Sequence, residues 1–203
     1  MTTKTKVLVS GFEPFGGAKL NPSELLVAEL KRIEFENLEL STVILPVEFD
    51  RASEILLRTI REEKPAVVIA FGQAEGRTAI NLEKVAINLD DARIPDNAGD
   101  RRENQVIDEG GKDRYLSTLP IEAMVEAMKS GGYPAEISLS AGAFVCNHIF
   151  YALQKELQGS GIRSGFVHLP LVSQQAAEFP GKFTMELNEM VKAAKAALEA
   201  AAN

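Results

Sequence analysis

The stretch AVVIAFG, residues 66–72, is an apolar run without a polar break, entered from Pro65 and closed at Gly72. A strand of that kind must be covered on both faces, as central strands of parallel sheets are. The residues before it repeat one alternation. KVLVSGF (6–12) reads as a buried β-branched strand, and NPSELLVAELKRIE as a helix opened by Pro22 and Ser23. STVILPVEF reads as a second strand, followed by a helix over DRASEILLRTIREEKP. Strand, helix, strand, helix, strand calls for crossover connections and a mainly parallel sheet with helices on both sides. The predicted class is α/β, a three-layer α/β/α sandwich with a mainly parallel mixed sheet in one domain over residues 1–203.

The middle of the chain departs from this rhythm. TAINLEKVAINL reads as extended, with the spacing of a hairpin, and ARIPDNAGDRRENQVIDEGGKDR is a long polar segment rich in Gly, Pro and Asp. Segments of that length inside a compact domain are functional or mobile as a rule. The alternation then resumes with helix IEAMVEAMKSGG, strand AEISLS, helix VCNHIFYALQKEL and strand SGFVHLP. A last helix over FTMELNEMVKAAKAALEAAA places Met185, Met190, Val191 and Leu198 on roughly one side.

Composition narrows the partners. The 203 residues carry a formal net charge of −7, with no run of Lys and Arg, which argues against nucleic acid or an anionic membrane as partner. The apolar stretch near the start breaks at Gly11, too soon for a signal peptide or a membrane span. One cysteine cannot form an internal disulfide, so a cytoplasmic location is expected. No CxxC, HExxH or calcium-loop spacing occurs, so no metal site is expected.

That one cysteine, Cys146, follows strand AEISLS through the turn SAGAF and falls in the first turn of the next helix. Backbone N–H groups and the helix dipole would favour a thiolate there and could hold an oxyanion. A thiol at such a place is either a buried small hydrophobe or a nucleophile. A nucleophile needs a base, and the chain has two histidines. His148 is two residues along the same helix and points away, which leaves it a packing or surface role. His168 closes strand SGFVHLP at a carboxyl end, where it could meet the thiol from an adjacent strand end. Glu83, in NLEKVAINL, would share a strand face with Val85, Ile87 and Leu89 and could orient the imidazole; Asp90 and Asp91 are rivals for that role. GFEPFGG is neither a Walker loop nor GxGxxG. Its Phe12 and Phe15, beside a glycine turn, suit a flat uncharged ring better than a phosphate.

Taken together and in order, VLVSGFEPFGGAKLNPS, GQAEGRTAINLEKVAINLDDARIPDNAGD, SLSAGAFVCNHIFYAL and GFVHLP resemble pyroglutamyl peptidase type I, the pyrrolidone-carboxylate peptidases. The blocks cover nearly the whole chain except the C-terminal helix. The resemblance implies a cofactor-free cysteine peptidase that removes N-terminal pyroglutamate from peptides, with Cys146 as nucleophile, His168 as base and Glu83 as the acidic member. It also implies a lactam pocket at Phe12, Phe15 and Phe144. Gln73 and Arg93 would lie near the reacting carbonyl, with Arg93 helping the oxyanion, and Asn21 would support the first loop. Homodimers or homotetramers are implied as well. Glu75, Ala143 and the run Phe183, Thr184, Met185 depart from the family pattern, and Glu75 would add negative charge near the site. Two competing readings are a nucleoside phosphorylase-like enzyme, which would need a phosphate site, and a small-molecule-binding domain with an inert cysteine.

Overall fold

A computed structural model describes residues 4–203 of the chain. The first half runs β1 (Thr5–Phe12), α1 (Pro22–Leu30), β2 (Leu38–Leu45), α2 (Phe49–Glu63), β3 (Val67–Gln73), β4 (Ile80–Glu83), β5 (Val85–Ile87) and β6 (Arg114–Leu116). The second half runs α3 (Ile121–Ser130), β7 (Ala135–Ser138), α4 (Val145–Glu156), β8 (Arg163–Leu169), β9 (Leu171–Val172), β10 (Thr184–Met185) and α5 (Leu187–Ala202).

Six strands form the main sheet in the order β2-β1-β3-β8-β4-β7. Four of them are parallel neighbours, β2, β1, β3 and β8, while β4 runs antiparallel to β8 and parallel to β7. Alternating residues of the strands feed two cores. Val7, Val9, Ile69, Phe71, Leu82 and Val167 pack against α1, α3 and α5 on one face. Leu8, Val68, Ala70 and Phe166 pack against α2 and α4 on the other. This is the expected α/β architecture, with helices on both sides of a mainly parallel mixed sheet.

Three local expectations need correction. The segment TAINLEKVAINL is not a hairpin: β4 enters the main sheet, while β5 leaves it and pairs with β6 in a separate antiparallel ribbon. Lys84 is the break, since its N–H donates to Ser138 O and its carbonyl accepts from Ser117 N–H, which draws the chain out of the β4 ladder. The second strand begins earlier and ends at Leu45, because Pro46 has no N–H to continue a ladder. Met185 is not on the last helix; Thr184–Met185 pairs in parallel with Leu171–Val172, and the helix that follows buries Met190, Ala193, Ala194, Ala197, Leu198 and Ala201.

The long polar segment is tied down throughout. Asp90 and Gln105 form a bridge, Asn97 Nδ2 donates to Pro14 O, and Asp96 Oδ2 accepts the Phe49 N–H. That last bond closes the N-terminus of α2, whose own N-cap residue, Glu48, makes no side-chain cap.

Candidate active site

The site lies on the α2/α4 face of the sheet. Cys146 is in the first turn of α4, whose N-cap residue Phe144 is extended and supplies no side-chain cap. The first N–H groups of the helix therefore point at the region of the thiol without a capping oxygen. The following two residues anchor the turn. Asn147 donates to Ile87 O and Leu89 O and accepts from Ile87 N–H, and His148 Nδ1 lies 2.8 Å from Asp90 Oδ2.

The thiol sits directly over β3. A Cβ placed on Gly72 would come within 3.0 Å of Cys146 Sγ and 2.7 Å of Phe166 Cζ, so only glycine leaves room for the sulfur there. Gly72 is the register partner of His168 on β8. The thiol thus stands over Gly72 on β3, the residue paired with His168 on the neighbouring strand, and strands in a sheet lie about 5 Å apart. Thiol and imidazole do not meet from adjacent strand ends as expected from sequence. Cys146 follows β7, which is separated from β8 by β4, and it is the length of the SAGAF turn that carries α4 back across the sheet.

His168 is buried, with its ring 4.8 Å from that of Phe166, and its Nδ1 lies 2.8 Å from Glu83 Oε1. Glu83 opposes Phe166 across the antiparallel ladder, so the carboxylate and the imidazole are diagonal neighbours on one face, within reach of long side chains. Glu83 is fully buried; it ends β4 and does not share a continuous strand with Val85, Ile87 and Leu89. Arg77 Nη2 stands 3.6 Å from the same Oε1 and is held by Ser140 O at 3.0 Å, while Glu83 Oε2 has no hydrogen-bond partner among the described residues. The two rivals are occupied elsewhere: Asp90 with His148, and Asp91 by accepting the Asn104 N–H. Burial pushes the Cys146 thiol up to about 12, and the nearby Glu83 charge adds to the rise. A resting thiolate was the expectation from the helix terminus; desolvation outweighs the backbone contribution here.

Beside the thiol, Phe12, Phe15, Asn21, Val47, Gln73, Phe144, Val145 and Cys146 line a narrow slot. The Phe15 and Phe144 rings are 6.0 Å apart, and Phe49 braces Phe144 edge-on at 5.5 Å. Roomier surface hollows, such as the one between Leu57 and Ile162, contain neither thiol nor histidine. Asn21 caps α1: its Oδ1 accepts from Ser23 N–H and Oγ, and its Nδ2 donates to Glu13 O. Ser23 Oγ in turn accepts the Phe12 N–H, so the first loop is laced to its helix. Arg93 is exposed and is not among the slot residues, although Ile94 beside it touches the Gly16 turn. Glu75 is exposed and paired with Lys182 at 3.0 Å, which balances its charge. No cluster of three metal-binding side chains occurs among the described residues.

Three partners escaped sequence reasoning. Arg77 stands in the loop after β3, within the quoted GQAEGR block but not singled out there, and Gln175 in a short 3-10 turn outside every quoted block. Arg102 bonds Asp50, Asp90 and Asp100 while stacking 4.5 Å over the Phe49 ring. Burial opposes its charge, but the three carboxylates hold the guanidinium above the ordinary arginine range. Only the excess of acids between residues 90 and 103 could have signalled a half-buried cation. His148, given a packing or surface role from sequence, is buried, bonded to Asp90 and packed edge-on against Phe49.

Comparison with known proteins identifies the family and the fold. The model of the pyroglutamyl peptidase family (Peptidase_C15) matches residues 5–203. A pyrrolidone-carboxylate peptidase of Cupriavidus pinatubonensis is 45% identical over 95% of this chain and 90% of its own length. Crystallographic pyroglutamyl peptidase I from Bacillus amyloliquefaciens superposes with a TM-score of 0.95 at 39% identity, covering 98% of this chain and 96% of the other. A point mutant of the pyrrolidone carboxyl peptidase of Pyrococcus furiosus superposes at 0.92, also 39% identical, over 97% and 98% of the two chains. A match over all but the first four residues, on the same sheet and helices, leaves one assignment: this chain belongs to the pyroglutamyl peptidase family.

Proposed function

We propose that the chain hydrolyses the bond after an N-terminal pyroglutamate, with Cys146, His168 and Glu83 as its catalytic residues. The observation that carries the reading is the buried Glu83–His168 pair one strand from the thiol. A carboxylate at Nδ1 sets the tautomer: Nδ1–H donates to Glu83, and Nε2 is left with its lone pair as the base. Because burial keeps the thiol protonated at neutral pH, His168 takes the proton as Sγ attacks the carbonyl carbon. The tetrahedral oxyanion lies where the uncapped N–H groups of α4 can bind it. Its collapse expels the amine, which leaves with the proton from His168. Water, deprotonated by the same nitrogen, then cleaves the thioester and releases pyroglutamate. Glu83 stabilises the imidazolium in both halves.

A pyroglutamyl residue has no α-ammonium, so selection must come from ring shape and amide hydrogen bonds. The Phe12, Phe15 and Phe144 slot supplies apolar walls for a flat ring. Arg93 would have to turn inward on substrate binding to reach an oxyanion. Asn21 acts by holding the loop that carries Phe12 and Phe15. A reducing cytoplasm suits an enzyme that depends on one free thiol.

The test is hydrolysis of pyroglutamyl-β-naphthylamide in reducing buffer with EDTA, beside prolyl and alanyl analogues. Turnover of the pyroglutamyl substrate alone, lost on alkylation and in Cys146→Ala, is the expected result. Folded, reduced protein without that turnover, or an active Cys146→Ala, would sink the assignment.

A further inference from the structure

Two carboxamides line the aromatic slot, Asn21 and Gln73. The Asn21 amide is committed at both ends to its own loop and helix cap, so Gln73 is the side-chain amide left to address a ligand. Which end of Gln73 faces the slot decides what the slot recognises, and that orientation is dictated from outside it.

Gln175 is fully buried, in the 3-10 turn Ser173–Gln175 that follows β9. Its Oε1 accepts the Val172 N–H at 3.0 Å, and a backbone N–H can only donate. The other end of this side chain is therefore the NH2 group. It donates to Leu20 O at 3.1 Å, a carbonyl that can only accept, and to Gln73 at 2.9 Å. The Gln73 atom it meets must be an acceptor, Oε1. Gln73 Nε2 makes no hydrogen bond within the described residues and is the end released towards the slot. A flipped Gln73 would set NH2 against NH2.

We propose that Gln175 is a positioning residue that fixes the polarity of the Gln73 amide, so that the slot offers an N–H donor to the lactam carbonyl of the substrate. A relay from the Val172 N–H through Gln175 to Gln73 thus selects a ring bearing an acceptor. A pyrrolidine ring of the same shape, without the carbonyl, leaves that donor unpaired and is rejected. Gln175 also ties Leu20 of the first loop to the end of β3, so ring walls and ring donor share one anchor. This inference rests on the peptidase reading above.

The experiment compares KM and kcat for pyroglutamyl-β-naphthylamide. In Gln175→Glu the side chain still accepts from Val172 but has lost its donor, so Gln73 turns its own NH2 outward and shows the slot an oxygen. KM is expected to rise about tenfold to a hundredfold, with kcat changed by less than about threefold. Gln73→Glu, at a partly exposed position that still accepts from Gln175, removes the slot donor without touching the buried anchor and is expected to show the same split. In a Gln73→Leu background, Gln175→Glu should add no further change in KM, because its effect passes through Gln73. A folded Gln175→Glu with unchanged KM would overturn the proposal. So would equal losses in KM and kcat that add to those of Gln73→Leu, which describe a structural staple. Should Gln175→Glu not fold, an unchanged KM in Gln73→Glu overturns it equally. A wild-type protein without pyroglutamyl turnover defeats the peptidase reading itself, a different outcome from active wild type with unaltered variants.

Discussion

Gly72→Ala should separate catalysis from folding in a way that can be sized from contacts. The added methyl would lie 2.7 Å from Phe166 Cζ and 3.0 Å from Cys146 Sγ. Carbon atoms pack at about 3.5 Å or more, so the phenyl ring must retreat by roughly 0.8 Å and the sulfur by a similar distance. Phe166 is fully buried against Phe12, Phe150 and the His168 ring, so it has no free direction. Overpacking of this kind costs about 1–3 kcal/mol, roughly 2–12 °C in Tm for a chain of this size. Displacing the proposed nucleophile and pressing on its proposed base by the better part of an ångström should lower kcat about a hundredfold. The control is Gly165→Ala on β8. Its methyl would meet Ser117 Oγ at 2.4 Å and Leu119 Cδ1 at 2.6 Å, away from the thiol. It should lose comparable stability while the folded enzyme keeps its kcat. Thermal melts, with turnover of the pyroglutamyl naphthylamide measured well below both midpoints, provide the comparison. Wild-type kcat in folded Gly72→Ala, or the same loss in both variants, would refute the placement of Sγ over β3.

Glu83→Gln keeps the shape of the pair but lets the amide stabilise the wrong imidazole tautomer, so kcat should fall on the order of 10³–10⁴ with little change in KM, read by steady-state kinetics. Stability should decline at alkaline pH: Cys146 is raised from 9.0 to about 12, chiefly by burial, and Tyr151 from 10.0 to about 12, again chiefly by burial. Above about pH 9 the unfolded chain loses protons that the folded one keeps, so this contribution, complete below about pH 9, fades between about 9 and 12; Cys146→Ser should delay the onset in urea titrations. Arg102→Leu strands the buried Asp90 carboxylate beside His148 and should cost about 3–5 kcal/mol by urea denaturation; a cost below about 1 kcal/mol would show that the network is solvated.

Much of this molecule is legible in its sequence, and the limits have physical causes. Buried strands such as Val67–Gln73 announce themselves because both faces need apolar residues. Strand order does not, because the pairing of β4 between β8 and β7 depends on contacts far apart in the chain. Cys146 and His168 are legible through their places at a helix start and near a strand end. The choice between Glu83 and the aspartates is not, since all three stand in the same extended segment and only strand pairing separates them. Gln175 is silent altogether: a glutamine in a polar loop acquires meaning only when three remote segments close around it.

The antiparallel entry of β4 has one more consequence. Glu83 faces α4 while Leu82, its neighbour, faces the opposite core. Sliding β4 by a single residue along β8 would drive the carboxylate into hydrocarbon and bring a leucine beside the imidazole. Proton transfer and hydrophobic burial are therefore satisfied by the same alignment and fail together. Recovery of turnover during refolding would then time the locking of this strand into place, and a collapsed but misaligned chain would stay silent in the assay.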